Sequence, residues 1–269
     1  MSVYAKRKSN AGTWILAVAI LIVLSAGAWA YVNFKLAQDT MDKVTLCPTK
    51  GPKGHVVVLI DNTSPFPFTQ KAALTQRLKS MIATEIPEGY LLSVFLLGEK
   101  FEQNEKPIFE RCNPGQWKDR SQLTATKKFV DRDFNEKFEN PLHEVVRKIP
   151  LDQHSKLSPI FQMLQLVGIN GFSHANVDGD RKLIIYSDML ANMPDFSMYK
   201  STLPSFGEFG KTPYGRNAQA PGLKGALVTI NLLANEHKTA QTNRLGDFWA
   251  NYFEANEASL DGINSMEGL

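Results

Sequence analysis

The sequence predicts an α/β domain on a mainly parallel, doubly wound sheet with helices on both faces, preceded by one transmembrane helix. Three observations predict it. Short, almost purely apolar runs at His55–Ile60, Tyr90–Leu97, Leu183–Tyr186 and Ala226–Leu233 fit strands buried on both faces. Helical patterns lie between these runs, and strands alternating with helices predict parallel pairing. Trp14 to Val32 carries no charge and meets the length of about 17–25 residues needed to span a bilayer.

The N-terminal elements come first in the chain. Residues 1–13 form a basic segment with Lys6-Arg7-Lys8, and residues 14–33 form the span, flanked by Trp14, Trp29 and Tyr31. The far side mixes Lys35 and Lys43 with Asp39 and Asp42. The positive-inside rule then keeps the N-terminus in the cytoplasm and places the rest outside it. A signal anchor is the favoured reading. A cleaved signal peptide is the alternative, because Ala26-Gly27-Ala28 and Ala28-Trp29-Ala30 both fit a small-x-small cleavage site.

Residues 34–54 read as a stalk ending in Pro48, Gly51, Pro52 and Gly54, and residues 55–258 as the domain. After the first strand, residues 68–84 read as a helix with Leu74, Leu78, Met81 and Ile82 on one face, stopped by Pro87-Glu88-Gly89. Residues 99–132 are polar and irregular, with an edge strand at Pro107–Arg111. Helical signals return at 133–149, where Asn140 and Pro141 suit N-cap and first-turn positions. A further helix follows Ser158-Pro159 with Ile160, Met163, Leu164 and Val167, closed by Gly168 and Gly171. Residues 191–225 form a long connection, a length that is usually functional or flexible. The last helix carries the stripe Leu245, Phe248, Trp249, Tyr252 and Phe253, read as sheet-facing core. Residues 259–269 read as a loose tail.

Composition bounds function more by exclusion than by assignment. The net charge of +3 and the scattered basic residues give no footprint for nucleic acid. Two cysteines, Cys47 and Cys112, lie in polar stretches bearing Pro and Gly, and an exported domain permits a disulfide between them. Two unpaired thiols are the alternative. His55, His143, His154, His174 and His237 show no metal-ligand spacing. Gly207 to Thr212 lacks the first glycine and the preceding strand of a nucleotide loop.

The strongest functional signal is a pair of strand-end carboxylates. Asp61 ends the first apolar run and Asp188 follows Leu183–Ser187. Ligands of open α/β sheets bind outside the carboxyl ends of the strands, so both residues stand where a cation or polar ligand would bind. The other reading is that each merely caps the turn or helix after it.

With Asp61-Asn62-Thr63-Ser64-Pro65 and Tyr186-Ser187-Asp188-Met189 in view, the stretch from about 55 to 255 resembles a von Willebrand factor A-like (integrin I-like) domain. In that family the first strand ends in Asp-x-Ser-x-Ser, a later loop supplies a threonine, and an aspartate follows a later strand. Together they hold a magnesium ion at an adhesion site. The resemblance implies a metal set of Asp61, Thr63, Ser158 and Asp188, with Ser155 as the alternative to Ser158 and with Pro65 lacking the last hydroxyl. It implies a membrane-anchored protein-binding module and no catalytic residue. Cys47-Pro48, Asp61-x-Thr63, Cys112-Asn113-Pro114-Gly115 and Ser187-Asp188-Met189-Leu190 also resemble a group of bacterial single-span membrane proteins. Two other functions remain open: a phosphoryl-transfer hydrolase with Asp61 as nucleophile and Lys182 as its lysine, and a structural subunit of an envelope complex.

Overall fold

The computed structural model describes residues 11–37, 40–66, 68–119, 126–151, 154–173, 177, 179–199, 203–233 and 243–266. The chain divides into two units, Met1–Thr40 and Met41–Leu269. In the first unit, helix α1 (Ala11–Ala37) contains the stretch Trp14–Asn33, which is long and apolar enough to cross a membrane. Its side chains are exposed throughout that stretch. The Lys6-Arg7-Lys8 cluster lies outside the described residues.

The second unit is built on a six-stranded sheet. Its strands are β1 (His55–Asp61), β2 (Leu91–Leu97), β3 (Phe109–Cys112), β4 (Arg181–Ser187), β7 (Ala226–Leu232) and β8 (Ser259–Ser265). A two-residue hairpin, β5 (Asn192–Met193) and β6 (Phe196–Ser197), stands apart from it. The order is β3-β2-β1-β4-β7-β8, with every pairing parallel except β2–β3. β1 is buried along all seven residues, which is why it shows no polar alternation. Val57 and Leu59 enter one core, while Val56, Val58 and Ile60 enter the other, following the two-residue period of a strand.

Helices cover both faces. On one, α2 (Phe68–Thr84) buries Leu74, Leu78, Met81 and Ile82, the predicted stripe. On the other, α5 (Ile160–Leu166) and α8 (Asn243–Ala255) pack together, and Leu245, Phe248, Trp249, Tyr252 and Phe253 join the core as the spacing predicts.

Three expectations need correction. Residues 259–265 are not a tail but β8, hydrogen-bonded to β7 along its length. Its polar sequence, Ser-Leu-Asp-Gly-Ile-Asn-Ser, hid it, because an edge strand has no second neighbour and buries little. The stalk is not free from residue 41 onward. Met41 bridges Pro48, the Cys112 N–H donates to the Thr45 carbonyl at 2.8 Å, and Leu46 is buried in the same core as α2.

Third, Asn140 does not cap a helix. Helix α3 (Lys127–Phe134) runs through a π turn (Asn135–Glu139) into α4 (Asn140–Arg147), and Asn140 has helical φ −61° and ψ −45°. Phe134 and Phe138 bury against the sheet, with Phe138 and Phe109 ring centroids 5.8 Å apart, and this burial draws the helix upstream of the polar signal. Pro141 has no N–H for the carbonyl four residues earlier, and the π turn absorbs the misfit. That carbonyl, of Lys137, accepts instead from the Arg111 guanidinium on β3. The long connection after Asp188 is also less bare than its composition implies. It holds the β5–β6 hairpin and the short helices α6 (Phe206–Phe209) and α7 (Pro213–Asn217).

Candidate functional site

Strand order reverses direction at β1. β2 and β3 lie to one side of it, and β4, β7 and β8 to the other. Helical crossovers then leave toward opposite faces, which opens a crevice at the carboxyl ends of β1 and β4. Asp61 is the last residue of β1 and Ser187 the last of β4, so Asp61 and Asp188 both border that crevice.

The predicted residues meet there. Thr63 donates to Asp61 Oδ1 twice, from its N–H at 2.8 Å and its hydroxyl at 2.7 Å. Thr63 Oγ1 also lies 3.2 Å from Ser158 Oγ. Ser158 thus contributes a side chain, whereas Ser155 meets the same loop through its backbone, its N–H donating to the Thr63 carbonyl at 2.9 Å. Asp188 is reached from the Asp61 loop by Ser64, whose hydroxyl donates to Asp188 Oδ2 at 3.3 Å. Asp61, Thr63, Ser158 and Asp188 are all buried.

Three residues that the sequence reading left out complete the cluster. Ser187 Oγ donates to Asp61 Oδ2 at 2.5 Å and accepts from the Met189 N–H at 2.9 Å. Ser64 supplies a hydroxyl one position before Pro65, which has none. Tyr199, just past the hairpin, donates its hydroxyl to Asp188 Oδ2 at 3.3 Å. Ser187 was visible as the neighbour of Asp188, but only pairing in register sets its hydroxyl against Asp61. Nothing in the sequence marks Tyr199, because the folding of residues 189–199 decides where it lies.

The electrostatics follow from burial. Asp61 is pushed up to about 7, first by desolvation and then by the charge of Asp188, with the Ser187 and Thr63 bonds pulling the other way. Every donor atom in the cluster is oxygen, the set a hard cation takes. Among the described residues no group of three or more His, Cys, Asp or Glu side chains is placed to hold a metal. A cation here would therefore rest on two carboxylates, hydroxyls and water. That set fits magnesium, which keeps several waters in most protein sites.

Lys182 pairs with Val56 near the amino end of the β1–β4 ladder. Asp61 is five residues further along β1, roughly 16 Å at the rise of a strand. Lys182 is thus at the wrong end of the sheet to assist a reaction at Asp61. Cys47 and Cys112 meet away from the crevice, with S–S 2.05 Å and Cα–Cα 4.8 Å.

No protein-family model and no curated protein matches the chain. Solved structures similar to it include the following two. The VWA domain of SpRpn10 shares 9% identity over 79% of this chain and 87% of its own, with a TM-score of 0.40. An aerotolerance-related membrane protein from Bacteroides fragilis, with multiple mutations to serines, shares 9% identity over 67% of each chain, with a TM-score of 0.32. Likenesses at this level speak to no activity. The doubly wound sheet is the architecture that the sequence resemblance implied, and the unit Met41–Leu269 is an α/β domain of that kind by its strand order.

Proposed function

We propose that this chain is a single-pass inner-membrane protein whose domain lies on the periplasmic side and binds a protein partner through a magnesium ion. Asp61, Thr63, Ser158 and Asp188 hold the ion, and an open coordination position accepts a carboxylate of the partner. The observation that carries this reading is the convergence of those four side chains, from three distant segments, at the β1–β4 crevice. Burial and the charge of Asp188 both raise the Asp61 carboxyl, and a divalent cation would offset that repulsion. Orientation follows from Lys6-Arg7-Lys8 ahead of the uncharged span, and the cysteine pair suits an oxidising compartment.

Thermal unfolding of the full chain in detergent, with and without magnesium, tests the reading. A ligand that binds only the folded state stabilises it by about 2.7 kcal/mol at 100 times its dissociation constant. Asp61→Ala and Asp188→Ala should abolish the magnesium shift. No shift in the wild-type protein at tens of millimolar magnesium would overturn the metal. Partner binding is read by capture from solubilised membranes: it should be released by chelator and absent with Asp188→Ala.

A further inference from the structure

The turn that carries Asp188 is strained. Met189 has φ +59°, a left-handed conformation that a residue with a Cβ adopts at a cost, and it is fully buried. Strain of this kind persists only where the surroundings over-determine it. Within the turn, the Met189 N–H donates to Ser187 Oγ and the Leu190 N–H donates to Asp188 Oδ1, each at 2.9 Å. From outside, the Trp249 indole N–H on α8 donates to the Met189 carbonyl at 3.0 Å.

Trp249 also packs on the helix that follows Ser158. Its ring stacks on Phe161 at 5.0 Å between centroids and 27° between planes. Phe161 lies in the first turn of α5, three residues after Ser158. Ser158 is in turn paired with Asn192, its N–H donating to the Asn192 carbonyl at 2.8 Å and its carbonyl accepting from the Asn192 N–H at 3.0 Å. One buried side chain therefore bonds the turn bearing Asp188 and packs against the helix that follows Ser158. Its sequence signal was only that of a core aromatic.

We propose that Trp249 is a positioning residue: it braces the Met189 turn against α5 and so sets the spacing between Asp188 and Ser158. The part of this that concerns ion affinity rests on the magnesium reading above. The part that concerns the turn does not.

The test compares two conservative variants of α8 in the full chain. Trp249→Phe keeps an aromatic ring and loses the N–H. Tyr252→Phe loses a buried hydroxyl, which donates to the Ala218 carbonyl at 2.8 Å, and leaves the turn alone. Each lost hydrogen bond lowers the melting temperature, so stability alone does not separate them. Hydrogen exchange of the peptide spanning 183–192 does, without any cation. Trp249→Phe should speed exchange there by about fivefold or more, the factor that loss of one hydrogen bond predicts, and Tyr252→Phe should not. If the wild type binds magnesium, Trp249→Phe should weaken that binding by about the same factor and Tyr252→Phe should leave it unchanged. Equal exchange at 183–192 in the two variants would overturn the proposal, whatever magnesium does. Faster exchange in Trp249→Phe with no magnesium binding by wild type would uphold the brace and remove the ion.

Discussion

Ser187 Oγ, at the end of β4, donates to Asp61 Oδ2, at the end of β1, over 2.5 Å. Two neighbouring parallel strands are tied at their carboxyl ends by a side-chain bond as well as by their ladder. Ser187→Ala removes the donor and leaves a buried carboxylate oxygen short of a partner. The variant should lose about 1–3 kcal/mol of stability near neutral pH. Denaturant unfolding of wild type and variant measures it.

Asp61 makes cation-free stability depend on pH in a direction opposite to most carboxylates. Its folded value is about 7 against an ordinary 3.8, raised by burial and then by Asp188. Between those values the folded state keeps a proton that the unfolded state has released, so this group costs stability as pH rises. Its contribution is most favourable below about 4, declines toward 7 and is level above that. Melting temperatures in chelator from pH 5 to 8 (roughly the range that spares other carboxylates) should fall with rising pH. Asp61→Asn should flatten the trend, and saturating magnesium should do the same.

Arg111 serves Pro141 at a distance. The Lys137 carbonyl that Pro141 cannot bond accepts from the Arg111 guanidinium across the π turn. Arg111→Leu should cost about 1 kcal/mol, at the low end for a charge-assisted bond because the pair is exposed. In a Pro141→Ala background, where residue 141 regains an N–H, the same change should cost less. A double-mutant cycle by urea unfolding checks the coupling.

Reducing the Cys47–Cys112 pair should lower stability by about 2–4 kcal/mol, the usual effect of opening a loop of this order. The 65-residue separation spans β1, α2 and β2. The loop after Cys112 also caps α2, since Gln116 and Lys118 donate to the Ala83 carbonyl and Asn113 to that of Ile86. Alkylation without reductant, on protein from the native envelope, should label neither thiol. Exchange in the last turn of α2 should rise on reduction.

Alkaline phosphatase fused after Leu269 should be active if the domain is periplasmic. Replacing Lys6, Arg7 and Lys8 by Gln should reduce that activity by weakening the orientation signal. Activity confined to a reporter that works only in the cytoplasm would reverse the topology.

The helices and the inner strands were legible because burial writes itself into sequence. Leu74, Leu78, Met81 and Ile82 repeat at helical spacing on α2, and all are buried. β1 is apolar through Ile60 because it is the strand buried on both faces. β8 was missed because an outer strand is specified by the pairing of its backbone, which leaves little mark on side-chain polarity. The start of α3 was missed because Phe134 and Phe138, the residues that draw it onto the sheet, are too few to set a period against charged neighbours.

The sequence by itself determined the apolar span, the alternation of strands and helices, and the placement of Asp61 and Asp188 at strand ends. These are local properties, set by spacing and by the solvent each face meets. Only the tertiary structure decided that β1 and β4 are neighbours at the reversal of strand order. It set the hydroxyl of Ser158 and the backbone N–H of Ser155 against Thr63. It brought Ser64 and Tyr199 to Asp188, and Trp249 to the carbonyl of Met189. Each of these depends on which elements lie side by side, and residues that meet across tens or hundreds of positions share no periodicity from which the contact could be read.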